Sequence, residues 1–317
     1  MRFSAFARLL ATLLAITMFS WSFTAQAADT SLWGIVSPLI PDDAKGVFYV
    51  DGASVKSSAV FTQLKPTLFG MEHGTLDGIE KTCDLDLAAS FSNALVVISP
   101  KGDPIVYVET NGLNLRQITA CINALAKREN EKAKVTSTGS IVEVAIGSGK
   151  NYFGWISGKV AVFVEKSRNR ERVSKALTKA RKRFDAKPNV KTQLAEINRT
   201  ATLWGLLMDL SGLRESEKPE RLQGSVNLAA ENATADVRSS FANADNAAAV
   251  ANKLNEELAR AKEDLRTHPK RFGGATPAIV RLLGAVNIVG KGNEVIGAAT
   301  ATQSDIVEVV KAIVAEQ

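Results

Sequence analysis

The sequence predicts an α+β protein of two related halves, each an antiparallel sheet with helices packed on one face. Three observations predict it. Short apolar runs recur in pairs around turn residues, which reads as hairpins. Amphipathic segments at helical spacing separate those pairs. A glycine spacing also occurs twice: Gly147, Gly149 and Gly154 within 141–157, then Gly290, Gly292 and Gly297 within 286–302. The recurrence divides the chain into a signal peptide at 1–27, a first half at 28–187 and a second at 188–317.

The amino-terminal expectation rests on charge and length. Arg2 and Arg8 are the only charges before Asp29, and an apolar run at 9–19 follows them. Ala25-Gln26-Ala27 then gives the small-x-small pattern that signal peptidase reads. The run is shorter than the ~20 residues a bilayer needs, so cleavage after Ala27 is expected rather than anchoring. No second long apolar segment follows, so the mature chain is not expected to be integral to the membrane. Losing Arg2 and Arg8 lowers the formal charge from +6 to +4.

Two cysteines, Cys83 and Cys121, remain. An even count in an exported chain predicts a disulfide. Cys121 lies on the apolar side of a helical pattern with Ile118, Ile122 and Leu125. Closing that loop stabilises by roughly 4 kcal/mol in the chain-entropy model. The chain has no C-x-x-C, so the bridge reads as structural.

Taken in order, Pro41 to Ala44 turn the chain into a strand at 47–51 that Gly52 ends. The pattern at 54–69 is helical, interrupted at Pro66, and a second helix at 76–81 leads to Cys83. Runs at 92–98 and 105–109 flank Pro100-Lys101-Gly102-Asp103-Pro104 and make a hairpin. A helix at 113–129 has Asn114 as N-cap. The glycine hairpin at 141–157 turns at Gly147-Ser148-Gly149, and a strand at 160–165 follows.

A basic helix is expected at 167–184, with Val173, Ala176, Leu177, Ala180 and Phe184 on one face. Beyond it come a helix at 190–197 and an apolar strand at 201–210 with Trp204. A charged surface loop at 214–221 follows. The alternation at 222–230 and 234–241 predicts a hairpin about Glu231-Asn232. A long Ala-rich helix at 243–265 stops at His268-Pro269. A short helix at 277–283, the second glycine hairpin and a final helix at 303–315 close the chain.

Little in this pattern carries chemistry. Gly147-Ser148-Gly149-Lys150 is no phosphate loop: position 144 is Val, position 151 is Asn, and a strand rather than a helix follows. His73 and His268 are far apart and lie in loop-like segments, so no metal centre and no cofactor is expected. Ser211 and Ser148 lack a nucleophile elbow. Asp42, Asp43 and Asp51 around the first strand, and Asp84 and Asp86 after Cys83, read as turn and cap residues. Phe48, Tyr49, Tyr107, Phe153, Trp155 and Phe163 read as core.

The sharpest functional feature is the basic helix, whose Arg168, Arg172, Lys175, Lys179, Lys182 and Arg183 would face an anionic envelope component. No aromatics interleave there, so nucleic acid is not expected.

Pro41-Asp42-Asp43-Ala44, the strand ending at Asp51, Ser57-Ser58, Lys81-Thr82-Cys83-Asp84-Leu85-Asp86 and the later Cys121 together resemble uncharacterised exported proteins of myxobacteria and planctomycetes. Those proteins show a similar P-x-D-A … S … C-G-x-D opening and a second Cys in a helix. The resemblance covers residues 38–130. This chain has Asp84 where that group more often has Gly. The resemblance implies export and a disulfide, and no activity.

The expected function is therefore an exported, periplasmic or secreted, non-enzymatic binding or scaffold protein of unknown ligand. The alternatives are a hydrolase of an envelope polymer using acidic residues, and binding to an anionic lipid or glycan surface through the basic helix.

Overall fold

The computed structural model describes residues 31–70, 75–164, 168–179, 190–208, 210, 218–269 and 273–315. The expected signal peptide lies outside them, as do His73, Lys182, Arg183 and Ser211.

Helix α1 (Ser31–Val36) leads to strand β1 (Gly46–Asp51). The Asp51 carboxylate accepts from the Ala53 amide at 3.0 Å, and α2 (Gly52–Ser57) begins. Helix α3 (Ala59–Gly70) follows. The interruption expected at Pro66 falls at Ser58 instead. The Ser58 hydroxyl donates to the Val55 carbonyl at 2.6 Å and accepts from the Phe61 amide at 3.1 Å, so one side chain ends α2 and caps α3.

Helix α4 (Thr75–Cys83) precedes the short α5 (Leu87–Ser90), capped by Asp86. Strands β2 (Phe91–Ile98) and β3 (Pro104–Thr110) form the expected hairpin. Helix α6 (Leu115–Arg128) opens on a capping box between Asn114 and Gln117.

Strand β4 (Ala133–Thr138) has no counterpart in the sequence reading; four of its six residues are polar and exposed, and only Ala133 and Val135 are apolar. Strands β5 (Ile141–Ile146), β6 (Gly149–Ile156) and β7 (Val160–Val164) follow, then α7 (Arg170–Ala176) and α8 (Val190–Leu194). Strands β8 (Leu203–Leu207), β9 (Arg221–Leu228) and β10 (Asn232–Ser240) lead to α9 (Ala244–Thr267), capped by Asn243. Helix α10 (Thr276–Gly284), strands β11 (Asn287–Lys291) and β12 (Glu294–Thr302), and α11 (Gln303–Ala315) complete the chain.

The described chain divides into two compact units. The first holds residues up to 53 and 65–191; the second holds 54–64 and 192–317. Nothing in the sequence marks the excursion at 54–64. Its tie is Gln303, 1% exposed, whose Oε1 accepts from the Val60 amide at 2.9 Å while its Nε2 donates to the Ala229 carbonyl.

Strands of the first unit lie in the order β1-β2-β3-β7-β6-β5-β4, each pair antiparallel. Register puts Tyr49, Leu95, Tyr107, Val162 and Gly154 in one cross-strand row. Helix α7 sits over this face: the Tyr107 hydroxyl donates to the Ala176 carbonyl at 3.0 Å. Phe153 and Val142 point to the opposite face. There they pack with Leu115, Ile118 and Ile122 of α6. Helices on one face only, as the sequence reading has it, is thus corrected for this unit. Its strands are apolar on both sides, and each side needs a cover. Phe163 is a second correction: it stacks on Phe153 at 5.9 Å yet stays 43% exposed.

The second unit runs β8-β9-β10-β12-β11, again antiparallel. Its long helices gather on one face. Ala235 and Ala299 meet Leu258, Ile279, Leu283 and Val309, while Val295 meets Ala247 and Ala251.

The repeated glycine spacing does not mark equivalent positions. In the first hairpin Ile146 pairs with Gly149, so the turn is Gly147-Ser148, with Gly147 at φ +54°. In the second Lys291 pairs with Glu294, so the turn is Gly292-Asn293, with Gly292 at φ +58°. The turn glycine is the first of one triplet and the second of the other. Gly154 and Gly290 serve close approach: a Cβ would lie 2.8 Å from Leu177 Cδ2 at the former and 3.3 Å from Ala251 Cβ at the latter.

Candidate functional site

The basic segment is shorter than its sequence pattern. Asn169 caps α7, its side chain accepting from the Glu171 and Arg172 amides at 2.9 and 3.3 Å. At the other end the Leu177 amide bonds back to Val173 and the Thr178 amide to Lys175, and the helix is finished. Among the described residues the expected helix at 167–184 is corrected to Arg170–Ala176, while 167 and 180–184 lie outside them. Val173 and Ala176 are its buried side. Of the six expected anion-facing residues, Arg172 pairs with Asp103 at 3.3 Å and Lys175 with Glu171 at 2.6 Å. Lys175 holds the Glu171 carboxyl below its ordinary range. Arg168 and Lys179 are exposed outside the helix.

Cys83 and Cys121 are bonded, Sγ to Sγ, joining the end of α4 to the middle of α6. Arg128 braces the same pair of helices by donating to the Thr82 hydroxyl at 3.2 Å. Asp84 follows at φ +50°, the left-handed region that favours glycine. The acidic residues around these elements work locally: Asp51 and Asp86 accept from helix-start amides at 3.0 and 2.9 Å. His268 ends α9, with Nδ1 3.2 Å from Asp264. Among the described residues no group of three or more His, Cys, Asp or Glu could hold a metal ion.

Two ionic clusters brace the second unit. Arg221, read from sequence as the end of a surface loop, instead begins β9 with its side chain 15% exposed. It donates to Glu196 at 2.6 Å, to the Ser240 hydroxyl at 3.1 Å and to Gln193. Arg281 donates to Asp305 through Nε at 3.0 Å and Nη2 at 2.5 Å. That bond, and one with Thr302, outweigh burial and hold the Asp305 carboxyl below its ordinary range.

The remaining polar feature lies on the second unit's sheet, on the face turned from α9, α10 and α11. Alternation puts Gln223 and Ser225 of β9 there, opposite Arg238 and Asp236 of β10. On the far side of β10 the same face continues as Ile296 opposite Arg238 and Ala298 opposite Asp236. Gln223 is 7% exposed, and its Oε1 has no hydrogen-bond partner. Asp236 is half-buried, and that burial raises its carboxyl above the ordinary range against the pull of Arg238. Arg238 is exposed.

The face is thus sealed at β8–β9, where Trp204, Leu206 and Ser225 are buried, and open at β10–β12. The sequence reading missed it for a physical reason. Thr234, Asp236 and Arg238 alternate with Ala233, Ala235 and Val237, which is the pattern of any half-solvated strand. The burial of Gln223 leaves no trace in that pattern.

Among the described residues no helix is long and apolar enough to cross a membrane. No family model matches the chain, and no curated protein matches it. A solved structure, crystal form I of TP0453, is similar at TM-score 0.48 and 9% identity, over 88% of this chain and 98% of its own.

Proposed function

We propose that this chain is an exported, non-enzymatic binding protein made of two related units. The observation that carries the binding reading is the open polar face of the second sheet. A desolvated carboxyl beside a buried amide oxygen without a partner lowers stability. Such a feature belongs to a surface that meets something else. The disulfide between Cys83 and Cys121 supports an oxidising compartment, periplasmic or extracellular.

Relatedness of the units is supported by strand order. In each, three strands form a meander, a helix follows, and a later hairpin returns its last strand to the third: β7 beside β3, and β12 beside β10. On that alignment β6–β7 corresponds to β11–β12, and β4–β5 is an insertion. An experimental structure in which β1-β2-β3-β7-β6 cannot be superposed on β8-β9-β10-β12-β11 removes the proposal.

The anionic-surface reading has less support, because Arg172 and Lys175 are engaged with Asp103 and Glu171. The hydrolase reading has less as well, because Asp51 and Asp86 serve as caps. Native mass spectrometry of the full chain purified from its own host tests the binding reading. A retained small molecule, lost on heating, is the expected result. A chain that is bare by this measure, and that shows no thermal shift with envelope extracts, overturns it.

A further inference from the structure

The first unit's strand order ends at β4 and the second unit's at β11. An end strand turns half of its backbone N–H and C=O groups away from its neighbour, and such an edge invites another strand. The two ends differ. In β11 the Ile288 carbonyl accepts from the Asn255 side chain of α9 at 3.2 Å, and Gly290 lies close against Ala251 of the same helix. That edge is closed from within the chain.

Strand β4 has no such closure. Thr138 pairs with Ile141 across the two-residue turn Gly139-Ser140, so these two exchange hydrogen bonds. Alternation gives the same role to Thr136 and Lys134. The N–H and C=O groups of Ala133, Val135 and Ser137 therefore point outward, and among the described residues nothing bonds to them. The strand holds no proline, and its register with β5 is unshifted. Burial shows that room is left beside it. Helix α6 covers Val142, Val144 and Phe153 of β5 and β6, whereas Val135 is only half-buried. Lys134, Thr136, Ser137 and Thr138 are exposed.

A second copy of β4 fits this edge best in one antiparallel register. With Val135 facing Val135 across a two-fold axis, Ala133 faces Ser137 on either side. Three pairs form, each exchanging two hydrogen bonds, and Lys134 faces Thr136. Centring on Lys134 instead puts two ammonium groups directly opposite, which destabilises. Centring on Thr136 sets Ala133 against the turn at Gly139 and loses a pair. We propose that the chain forms a two-fold dimer by pairing β4 with β4, centred on Val135. A lysine on an edge strand ordinarily discourages pairing; Lys134, on the exposed side, here selects the register. This surface belongs to the first unit and does not depend on the binding reading above.

Sedimentation equilibrium of the full chain from about 1 μM to about 1 mM tests the assignment, and a concentration-dependent dimer is expected. Thr136→Lys sets a like charge against Lys134 of the second copy and is expected to weaken the dimer at least about threefold. Thr136→Glu is expected to strengthen it by a similar factor, and salt should shrink both effects. Within one chain Thr136 lies opposite Glu143, so the melting order should run the other way, with the Lys variant no less stable than the Glu variant. Ser137→Pro removes an outward N–H and no bond to β5, so it should lose the dimer and still fold. If it does not fold, the Thr136 variants decide the matter.

A chain that stays monomeric to about 1 mM overturns the assignment. So does a dimer indifferent to both Thr136 variants, and so does a dimer strength that only follows melting temperature. A monomer that instead takes a foreign extended peptide along β4 has the edge right and the occupant wrong, and overturns it as well.

Discussion

Five of the first unit's seven strands run in the order of the second unit's five, and each unit is stabilised by different means. The first has apolar residues on both sides of its sheet, with α7 over Tyr107 and Gly154 and α6 over Phe153 and Val142. It also carries the disulfide between α4 and α6. The second puts three helices on one face, around Leu258, Leu265, Ile279 and Leu283. Its other face is partly polar. One arrangement of strands can thus be stabilised by a cross-link and two thin layers, or by one thick layer. The second solution leaves a sheet face available for recognition.

The largest effect that would sharpen this contrast is loss of the cross-link. Replacing Cys83 and Cys121 together by Ser is expected to destabilise by about 4 kcal/mol. Hydrogen exchange should rise chiefly in α4, α6 and their strands. Equal loss of protection in α9 and α10 would break the contrast.

Next is Leu265→Ala, a fully buried position in the second unit's core. It should cost about 3 kcal/mol in denaturant melts, with exchange rising in α9 to α11. A loss confined to the first unit would contradict the division.

A smaller gain is expected from Asp84→Gly, which puts the residue best suited to φ +50° at that turn. It should stabilise by roughly 1 kcal/mol. A loss of stability would show that the Asp84 side chain does something the backbone does not reveal.

Smallest is Asp236→Asn. Burial raises the Asp236 pKa in the folded chain above its ordinary value near 3.8. The protonated side chain therefore favours folding below the unfolded pKa, and this contribution fades as pH rises through the folded one. The variant should be roughly 0.5 kcal/mol more stable than the parent at neutral pH, with the gain vanishing in acid. Parallel pH profiles for the two chains would mean that the polar face is not strained.

Local features were legible and distant ones were not. The Asn114 cap and the β2–β3 and β9–β10 hairpins follow from neighbours a few residues apart. The Cys83–Cys121 pairing followed from counting. The limits of α7 were missed because Asn169 and Leu177 end it locally, within a run of cations and apolar residues that keeps helical spacing on both sides.

The glycine triplets failed as markers because spacing records neither turn position nor helix approach. Gly147 and Gly292 turn the chain, whereas Gly154 and Gly290 admit a helix. The burial of Gln223, the two-sided cover of the first sheet and the excursion at 54–64 depend on what lies across the fold. No local pattern encodes these.

That excursion has a consequence for how the chain comes to be finished. The Val60 amide and the Gln303 side chain that accepts from it are separated by 243 positions. During synthesis, residues 54–64 emerge long before the strands and helices they belong with. The Val60–Gln303 hydrogen bond cannot form until α11, the last described helix, has begun. Contacts of such long range slow folding and keep the segment open to helpers and proteases in the meantime. A fragment ending before α11 would leave Val60 waiting for an acceptor that never comes.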